Sequence, residues 1–130
     1  CAGKKVVLFA VPGAFTPTCS VQHLPGFVTN ASNLRDKGAD VVACIAVNDP
    51  FVMAAWGKDR STGEDVLMLS DGNAEFTSAI GLEMDGSGFG LGTRSQRYAM
   101  IIDDGVVSTL NVESGPSLEV SSAETILEAL

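Results

Sequence analysis

Continuous apolar runs recur along the chain and predict the strands of a sheet. Val6–Val11 and Val41–Val47 contain no polar residue. Runs of this length without alternation are typical of strands that are covered on both faces. Val66–Ser70 predicts a third, shorter strand. Arg97–Asp103 and Val106–Val112 predict two further strands, because the Asp-Asp-Gly sequence between them favours a hairpin.

Helix-start signals lie between these runs. Thr16 followed by Pro17 predicts a helix with Thr16 as N-cap. This helix should run to about Lys37, be disturbed at Pro25-Gly26 and be stopped by Gly38. The next start, Asp49-Pro50, predicts a helix through Trp56, and a third helix is expected over Ala74–Ile80. Gly81–Thr93 holds five glycines and is predicted as a loop, and a capping box at Ser121-x-x-Glu124 predicts a final helix to Leu130.

The predicted order is therefore β-α-β-α-β-α-β-β-α. Alternating strands and helices imply parallel pairing, and the late hairpin adds an antiparallel edge. This is the layout of an α/β protein with a thioredoxin-like fold, in which helices flank a central mixed sheet. We predict a single domain over residues 1–130. Because the chain starts only a few residues before a core strand, we expect that an N-terminal segment is missing.

Charge and cysteine content narrow the class of protein. The formal net charge of −8 argues against nucleic acid and anionic membranes as partners, since both attract cations. No apolar stretch approaches the length of a membrane span. Three cysteines are too few for a secreted disulfide scaffold. A reducing, intracellular compartment is expected, with cytosol, plastid and mitochondrion not distinguished.

Cys19 is the main candidate for chemistry. It falls in the first turn of the predicted helix, where backbone N–H groups lack intrahelical acceptors and the helix dipole is positive. Such a place stabilises a thiolate for the same reason that it stabilises a phosphate. The thiolate is the nucleophilic form of cysteine, so the position predicts a reactive and accessible sulfur. The alternative is a buried, inert thiol, which is common because free cysteine is a frequent core residue.

Several sequence blocks resemble one family. Pro12-x-x-x-Thr16-x-x-Cys19 resembles the active-site signature of the peroxiredoxins. Residues 12–20 together with His23–Phe27 are similar to the type II (atypical 2-Cys) subfamily, most of all to its plant-type members. Val47–Val52 and Gly92–Tyr98 also resemble that subfamily. The blocks follow one another in the same order over nearly the whole chain.

The resemblance implies roles for individual residues. Cys19 would be the peroxidatic cysteine, which attacks the O–O bond and becomes a sulfenic acid. Thr16 and Arg97 would bind the peroxide oxygens, Pro12 would shield the sulfur, and Arg94 would have a supporting role. Thr16 has competing uses, since one hydroxyl can cap the helix or donate to the thiolate or to the peroxide. For Arg97 the alternative is a surface salt bridge.

Two further residues keep alternatives open. Cys44 lies inside a predicted central strand and is interpreted as a core side chain, or by resemblance to plant-type members as a resolving cysteine. In animal-type members that cysteine lies near the C-terminus, where Ser117–Ser122 contains none. His23 lies four residues after Cys19, on the same helical face, and is interpreted as a packing histidine in preference to half of a Cys–His pair. Cys1 is interpreted as incidental.

The resulting hypothesis is a thiol peroxidase that reduces hydrogen peroxide and alkyl hydroperoxides in antioxidant defence and redox homeostasis. An external thiol, glutaredoxin with glutathione or else thioredoxin, would recycle the sulfenic acid. No metal, haem or flavin is expected, since sulfur carries the electrons. The resemblance also implies a homodimer. The rival interpretations are a dithiol oxidoreductase on the same fold and a redox sensor that uses Cys19 only as a switch.

Overall fold

A five-stranded mixed sheet lies at the centre of the structure. The structure is a computed structural model that describes residues 3–115 and 118–130, so Cys1 lies outside the described residues. The strands are β1 (Lys5–Val11), β2 (Val41–Ala46), β3 (Leu67–Ser70), β4 (Glu83–Asp85), β5 (Thr93–Ser95), β6 (Tyr98–Asp103) and β7 (Val106–Val112). The main sheet has the order β3-β2-β1-β6-β7, with β1, β2 and β3 parallel and β6 antiparallel to both neighbours.

Helices cover this sheet and complete the core. They are α1 (Leu24–Asp36), α2 (Pro50–Asp59), α3 (Glu75–Ala79) and α4 (Ala123–Ala129). Side chains of α1, α2 and α4 pack together with one face of β1, β2 and β6 in the larger apolar cluster. A second cluster on the other face contains Leu8, Ile45 and Tyr98. The predicted α/β fold, a central mixed sheet flanked by helices, is confirmed.

The helix after β1 is irregular at a different place from the one predicted. A π-helical turn over Cys19–His23 precedes α1, in which the Leu24 N–H bonds to the Cys19 carbonyl. Pro25 has no backbone N–H, so it cannot donate the next helical hydrogen bond. This accounts for the wider turn on its N-terminal side. The disturbance therefore lies one turn earlier than Pro25-Gly26. The predicted end is confirmed, since α1 ends at Asp36 and Gly38 adopts a φ of +110°.

Three other boundaries correct the sequence predictions. The expected loop over Gly81–Thr93 contains β4 and the start of β5, which form a separate two-stranded sheet around a 3₁₀ turn at Ser87–Phe89. α2 extends three residues beyond Trp56, to Asp59. The last helix is capped by Ser122, whose hydroxyl accepts from the Thr125 N–H, and not by Ser121. Ser121 has other partners, which are described below.

The sheet topology brings the two ends of the candidate site together. Because β1 and β6 are antiparallel and Ala10 pairs with Tyr98, β6 begins at the edge of the sheet where β1 ends. Pro12 follows β1 directly and Arg97 precedes β6 directly. The sequence predicts that Arg97 is the first residue of its strand, with parallel pairing among the strands that alternate with helices. Arg97 lies just outside the strand, which is antiparallel to both of its neighbours.

Candidate active site

Cys19 lies in the first turn of the long helical segment. The first helical hydrogen bond joins the Ser20 N–H to the Thr16 carbonyl at 2.9 Å. Cys19 therefore lies in the first turn, where the N–H groups have no acceptor within the helix. The Cys19 side chain belongs to the main apolar cluster and its residue is 0% exposed. The expectation of an accessible sulfur is therefore wrong for this conformation. A molecule from solvent can therefore touch Sγ only when the residues that enclose it shift.

The guanidinium of Arg97 points at this sulfur. Arg97 Nη2 donates to Cys19 Sγ at 3.1 Å, and Nη1 donates to His23 Nδ1 at 2.9 Å. Arg97 is only 5% exposed, and its Nε is a buried donor with no partner among the described residues. The sequence alone left a surface salt bridge open for Arg97. The structure instead places its charge in the interior, against a sulfur.

His23 connects Arg97 to the rest of the core. Its Nε2 lies 2.9 Å from the Ser121 carbonyl oxygen, which can only accept a hydrogen bond, so the proton resides on Nε2 and Nδ1 accepts from Arg97. Burial lowers the pKa of His23 to about 3, and the Arg97 charge acts in the same direction. The Ser121 carbonyl and Glu113 oppose the shift in this pKa. His23 is therefore neutral at physiological pH and orients Arg97, a partnership that its spacing from Cys19 alone did not reveal.

Thr16 has a different hydroxyl partner from the predicted ones. Its Oγ1 donates to the Gly13 carbonyl at 2.6 Å, inside the loop that precedes the helix. The hydroxyl has one proton, so Thr16 Oγ1 is left as an acceptor and does not donate to the thiolate or to a peroxide in this conformation. Thr16 occupies the N-cap position as predicted, since the helix begins at Pro17, but its hydroxyl donates to Gly13 and makes no capping bond. Its carbonyl, however, accepts the first helical hydrogen bond.

The loop that carries Thr16 is tied to its surroundings. The Ala14 N–H donates to Asn48 Oδ1 at 3.0 Å, and the ring of Phe15 lies 6.4 Å from that of Trp56. Phe15 adopts a φ of +64°, a left-handed conformation that costs about 1–2 kcal/mol for a residue other than glycine. These contacts hold the loop between β1 and the Cys19 helix in one arrangement. Pro12, at the start of the loop, is half-buried.

Arg94 braces the neighbouring loops and does not bond to Cys19. Its Nε donates to the Leu91 carbonyl at 2.8 Å and its Nη1 to the Val47 carbonyl at 3.1 Å. Nη1 also lies 3.4 Å from the place where a Cβ on Gly13 would stand. Arg94 thus joins the segment before β5, the end of β2 and the loop after β1. The supporting role of Arg94 in the chemistry stays a prediction.

Cys44 lies near Cys19 in the same apolar cluster. It is a free thiol in the middle of β2, where it pairs with Phe9 of β1 and Met68 of β3, and it is fully buried. Burial raises the pKa of the Cys44 thiol, the neighbouring Cys19 raises it further, and Arg97 opposes both. A protonated thiol is a poor nucleophile. The geometry therefore fits a core side chain better than a resolving cysteine.

Among residues 3–115 and 118–130, no group of three metal-ligating side chains comes together. Within this same part of the chain, no helix is both long and apolar enough to cross a membrane. Asp71 accepts hydrogen bonds from the Phe76 N–H and from the Thr77 N–H and hydroxyl. It thereby fixes the start of α3.

Known proteins resemble the chain over almost its whole length. The sequence matches the Redoxin family over residues 1–127. It is 60% identical over 131 residues to "Peroxiredoxin-2E, chloroplastic" of Arabidopsis thaliana, covering 99% of this chain and 56% of that protein. It is 54% identical over 129 residues to Peroxiredoxin-2B of the same plant, covering 99% and 80%. The chain thus spans little more than half the length of the chloroplastic relative.

A solved structure shows the same arrangement of the backbone. The crystal structure of reduced Prx3 from Vibrio vulnificus in complex with H₂O₂ superposes with a TM-score of 0.95 at 66% sequence identity, covering 99% of this chain and 83% of that one. The match confirms the thioredoxin-like fold. With the cysteine at the helix start and the arginine beside it, these likenesses lead to one conclusion. The chain belongs to the Redoxin family and, within it, to the type II peroxiredoxins of the plant kind.

Proposed function

We propose that this protein is a thiol peroxidase whose nucleophile is Cys19. The observation that carries the proposal is the 3.1 Å contact between Arg97 Nη2 and Cys19 Sγ at the start of a helix. A buried guanidinium remains charged, and together with the first-turn N–H groups it favours an anion at the sulfur. The thiolate attacks one oxygen of a hydroperoxide and the O–O bond breaks. The other oxygen takes up a proton and leaves as water or an alcohol, while the sulfur becomes a sulfenic acid.

Two groups are proposed to hold the hydroperoxide, and a third residue to restrict access to it. The unpartnered Nε of Arg97 supplies a donor for a peroxide oxygen, and Thr16 Oγ1 supplies an acceptor for the peroxide hydrogen. Donors placed where charge develops are among the largest contributions to catalysis. Pro12 closes the approach at the end of β1. The similar Prx3 of Vibrio vulnificus crystallised in complex with H₂O₂, which supports hydrogen peroxide as one substrate.

An external thiol is proposed to restore Cys19. The thiol attacks the sulfenic acid, water leaves, and a second thiol releases Cys19 as a thiolate. Glutaredoxin with glutathione, or thioredoxin, would supply these thiols. The burial and raised pKa of Cys44 disfavour its use as the resolving cysteine in this conformation. A reducing intracellular compartment is proposed, since three cysteines in 130 residues are too few for a secreted disulfide scaffold.

Peroxide consumption tests this function. Native protein and the Cys19→Ser variant are supplied with hydrogen peroxide and with glutathione, glutaredoxin or thioredoxin systems in parallel. Native protein should turn over repeatedly with at least one reductant, whereas Cys19→Ser should show no activity above background. Consumption by Cys19→Ser at the native rate would end the proposal. A Cys44→Ser variant is the matched control, since it changes a cysteine of the same core.

The two rival functions give different results. A dithiol oxidoreductase needs a Cys-x-x-Cys pair, but the residue three before Cys19 is Thr16. Native protein should therefore fail to reduce insulin at the rate of a thioredoxin. A redox sensor would consume one equivalent of peroxide and stop, whereas a peroxidase continues as long as reductant is present.

A homodimer is also proposed, formed through segments near the site. Phe15, Phe51 and Phe89 are 51%, 84% and 88% exposed, and large exposed apolar side chains favour an interface. Sedimentation should show twice the chain mass. Phe51→Asp with Phe89→Asp should shift the protein to monomers. A native protein that sediments as a monomer at high concentration would remove this part of the proposal.

A further inference from the structure

One oxygen of the Glu113 carboxylate accepts four hydrogen bonds. Oε2 accepts from the N–H groups of Glu119, Val120 and Ser121 at 2.9, 2.8 and 2.8 Å, and from the Ser121 hydroxyl at 2.7 Å. Three consecutive N–H groups around an anion form a concave nest, and hydrogen bonds to an ionised acceptor are the stronger kind. Burial raises the pKa of Glu113, but the four hydrogen bonds together outweigh burial and hold this pKa below its ordinary value. The segment before α4 is therefore fixed by a single side chain.

This segment carries the group that orients His23. The Ser121 carbonyl accepts from His23 Nε2–H, and His23 Nδ1 accepts from Arg97 Nη1. Arg97 Nη2 then donates to Cys19 Sγ. Each of these side chains is buried. The Glu113 carboxylate is thus linked to the Cys19 sulfur through three intervening residues.

Glu113 also holds the other end of Arg97. The Glu113 backbone N–H donates to the Arg97 carbonyl at 2.9 Å. Glu113 directly follows β7, and Arg97 directly precedes β6. These contacts form a closed ring of residues. It starts at the Glu113 backbone, passes through Arg97, His23 and Ser121, and returns to the Glu113 carboxylate. Arginine has a long side chain with many rotamers. Fixing both its backbone and its guanidinium to the same residue restricts it to one direction.

We propose that Glu113 is a positioning residue, which directs the Arg97 guanidinium at Cys19 through Ser121 and His23. In the part of the chain that the structure describes, the guanidinium has no salt bridge of its own, so its direction depends on these neutral partners. The consequence for peroxide reduction rests on the function proposed above. The link between Glu113 and the state of Cys19 does not depend on that function.

The test compares Glu113→Gln with a matched control. Glutamine keeps the size of the side chain but removes its charge and weakens the four hydrogen bonds. Asp71→Asn is the control, because Asp71 is also a buried carboxylate that fixes a helix start, yet it has no hydrogen bond to His23, Arg97 or Cys19. His23 is the single histidine of the 130 residues, so its ring nitrogens are directly assignable by ¹⁵N NMR in protein without a histidine tag.

The expected results separate positioning from stability. Glu113→Gln should shift the His23 ¹⁵N resonances, raise the pH midpoint of Cys19 alkylation by iodoacetamide and slow peroxide consumption per folded molecule by about tenfold. Asp71→Asn should lower the melting temperature but leave these three readouts at native values. Native resonances, midpoint and rate in folded Glu113→Gln would overturn the proposal, as would equal effects of the control.

A second variant tests the proposal if Glu113→Gln does not fold. Ser121→Ala removes only the hydroxyl donor to Glu113 and keeps the carbonyl that His23 uses. It should move the same readouts in the same direction by a smaller amount, and native values in all of them would overturn the proposal. If native protein consumes no peroxide, the proposed function fails. The NMR and alkylation results still decide whether Glu113 controls Arg97 and Cys19.

Discussion

Arg97 and Cys19, which are 78 residues apart in sequence, meet with Nη2 3.1 Å from Sγ. The meeting follows from topology, because the strand after Arg97 is antiparallel to the strand that leads to the Cys19 helix. A buried positive charge is costly unless it is paired and hydrogen-bonded. A thiolate at Cys19 would supply the negative partner. The arrangement therefore couples the electrostatics of the core to the reactivity of one sulfur.

Replacing Arg97 should impair the first chemical step. Arg97→Ala removes the donors from Cys19 and should lower the rate constant for peroxide consumption by about 100- to 1000-fold, as expected for loss of a charge-stabilising donor. Arg97→Lys should be intermediate, because lysine keeps the charge but lacks the planar fork. Stopped-flow kinetics and the pH midpoint of Cys19 alkylation check this, with a higher midpoint expected in Arg97→Ala. Arg60→Ala, a change in an exposed side chain that pairs with Asp59, is the control and should leave both unchanged.

Thr16 should act through its lone pairs. Since the hydroxyl proton is used by the Gly13 carbonyl, the oxygen can accept from a peroxide, and Thr16→Val removes that acceptor. The loss of one such neutral hydrogen bond, about 0.5–1.5 kcal/mol, corresponds to a rate about 2- to 10-fold lower. Thr16→Ser keeps the hydroxyl and should retain most of the activity. Equal rates in the Ser and Val variants would show that the hydroxyl does not bind the substrate.

Local signals predicted much of the fold. The buried runs and the Asp-Asp-Gly hairpin place β1, β2 and β7 correctly, and Asp49 caps α2 as its sequence predicts, because its Oδ1 accepts from the Val52 N–H. The short strands β4 and β5 were missed. They pair through only three residues each within a glycine-rich segment, so propensity alone does not indicate them.

The site was less readable from sequence, for a physical reason. Cys19, Thr16 and Pro12 lie within one segment, so a motif identifies them together. Glu113 and Ser121 act through hydrogen bonds that the tertiary fold creates, and no spacing in the sequence reports these. His23 shares a helical face with Cys19, yet its function depends on Arg97, which arrives from a distant strand. The enclosure of Cys19 is likewise a property of packing.

Trp56 should stabilise the start of the long helix. Its ring is buried and Nε1 donates to the Ser20 hydroxyl at 2.9 Å. Trp56→Phe leaves that hydroxyl unpaired and creates a cavity, which should lower the free energy of unfolding by about 2–4 kcal/mol. Urea denaturation followed by circular dichroism measures the change. Ser20→Ala in the Trp56→Phe background should cost less than Ser20→Ala alone, and strict additivity would contradict the hydrogen bond's contribution.

Cys44 should be dispensable for turnover. Its buried position in the middle of β2 and its raised pKa both oppose attack on an oxidised Cys19. Cys44→Ala should retain turnover with the external thiol that serves native protein, and should lose about 1 kcal/mol or more of stability to the small cavity. Mass spectrometry after one equivalent of peroxide should show Cys19 as sulfenic acid or as a glutathione adduct. A Cys19–Cys44 disulfide in native protein, with loss of turnover in Cys44→Ala, would establish Cys44 as the resolving cysteine.

Acid should destabilise the protein through His23. Burial and the Arg97 charge hold its pKa at about 3, whereas the unfolded side chain titrates at its ordinary 6.5. Between these two pH values the unfolded chain binds more protons, so the free energy of unfolding falls as the pH falls through this window and is fully retained above it. The slope from this one residue approaches about 1.4 kcal/mol per pH unit.

A histidine variant isolates this contribution from that of Glu113, whose lowered pKa acts in the same direction at lower pH. His23→Asn should be less stable than native protein at pH 7 but should show a shallower decline between pH 6.5 and pH 4. Urea denaturation at several pH values measures both slopes. Because asparagine does not titrate, the difference between the slopes belongs to the imidazole. Parallel slopes would mean that His23 takes up its proton in the folded protein as easily as in the unfolded chain, and would contradict the neutral histidine that holds Arg97.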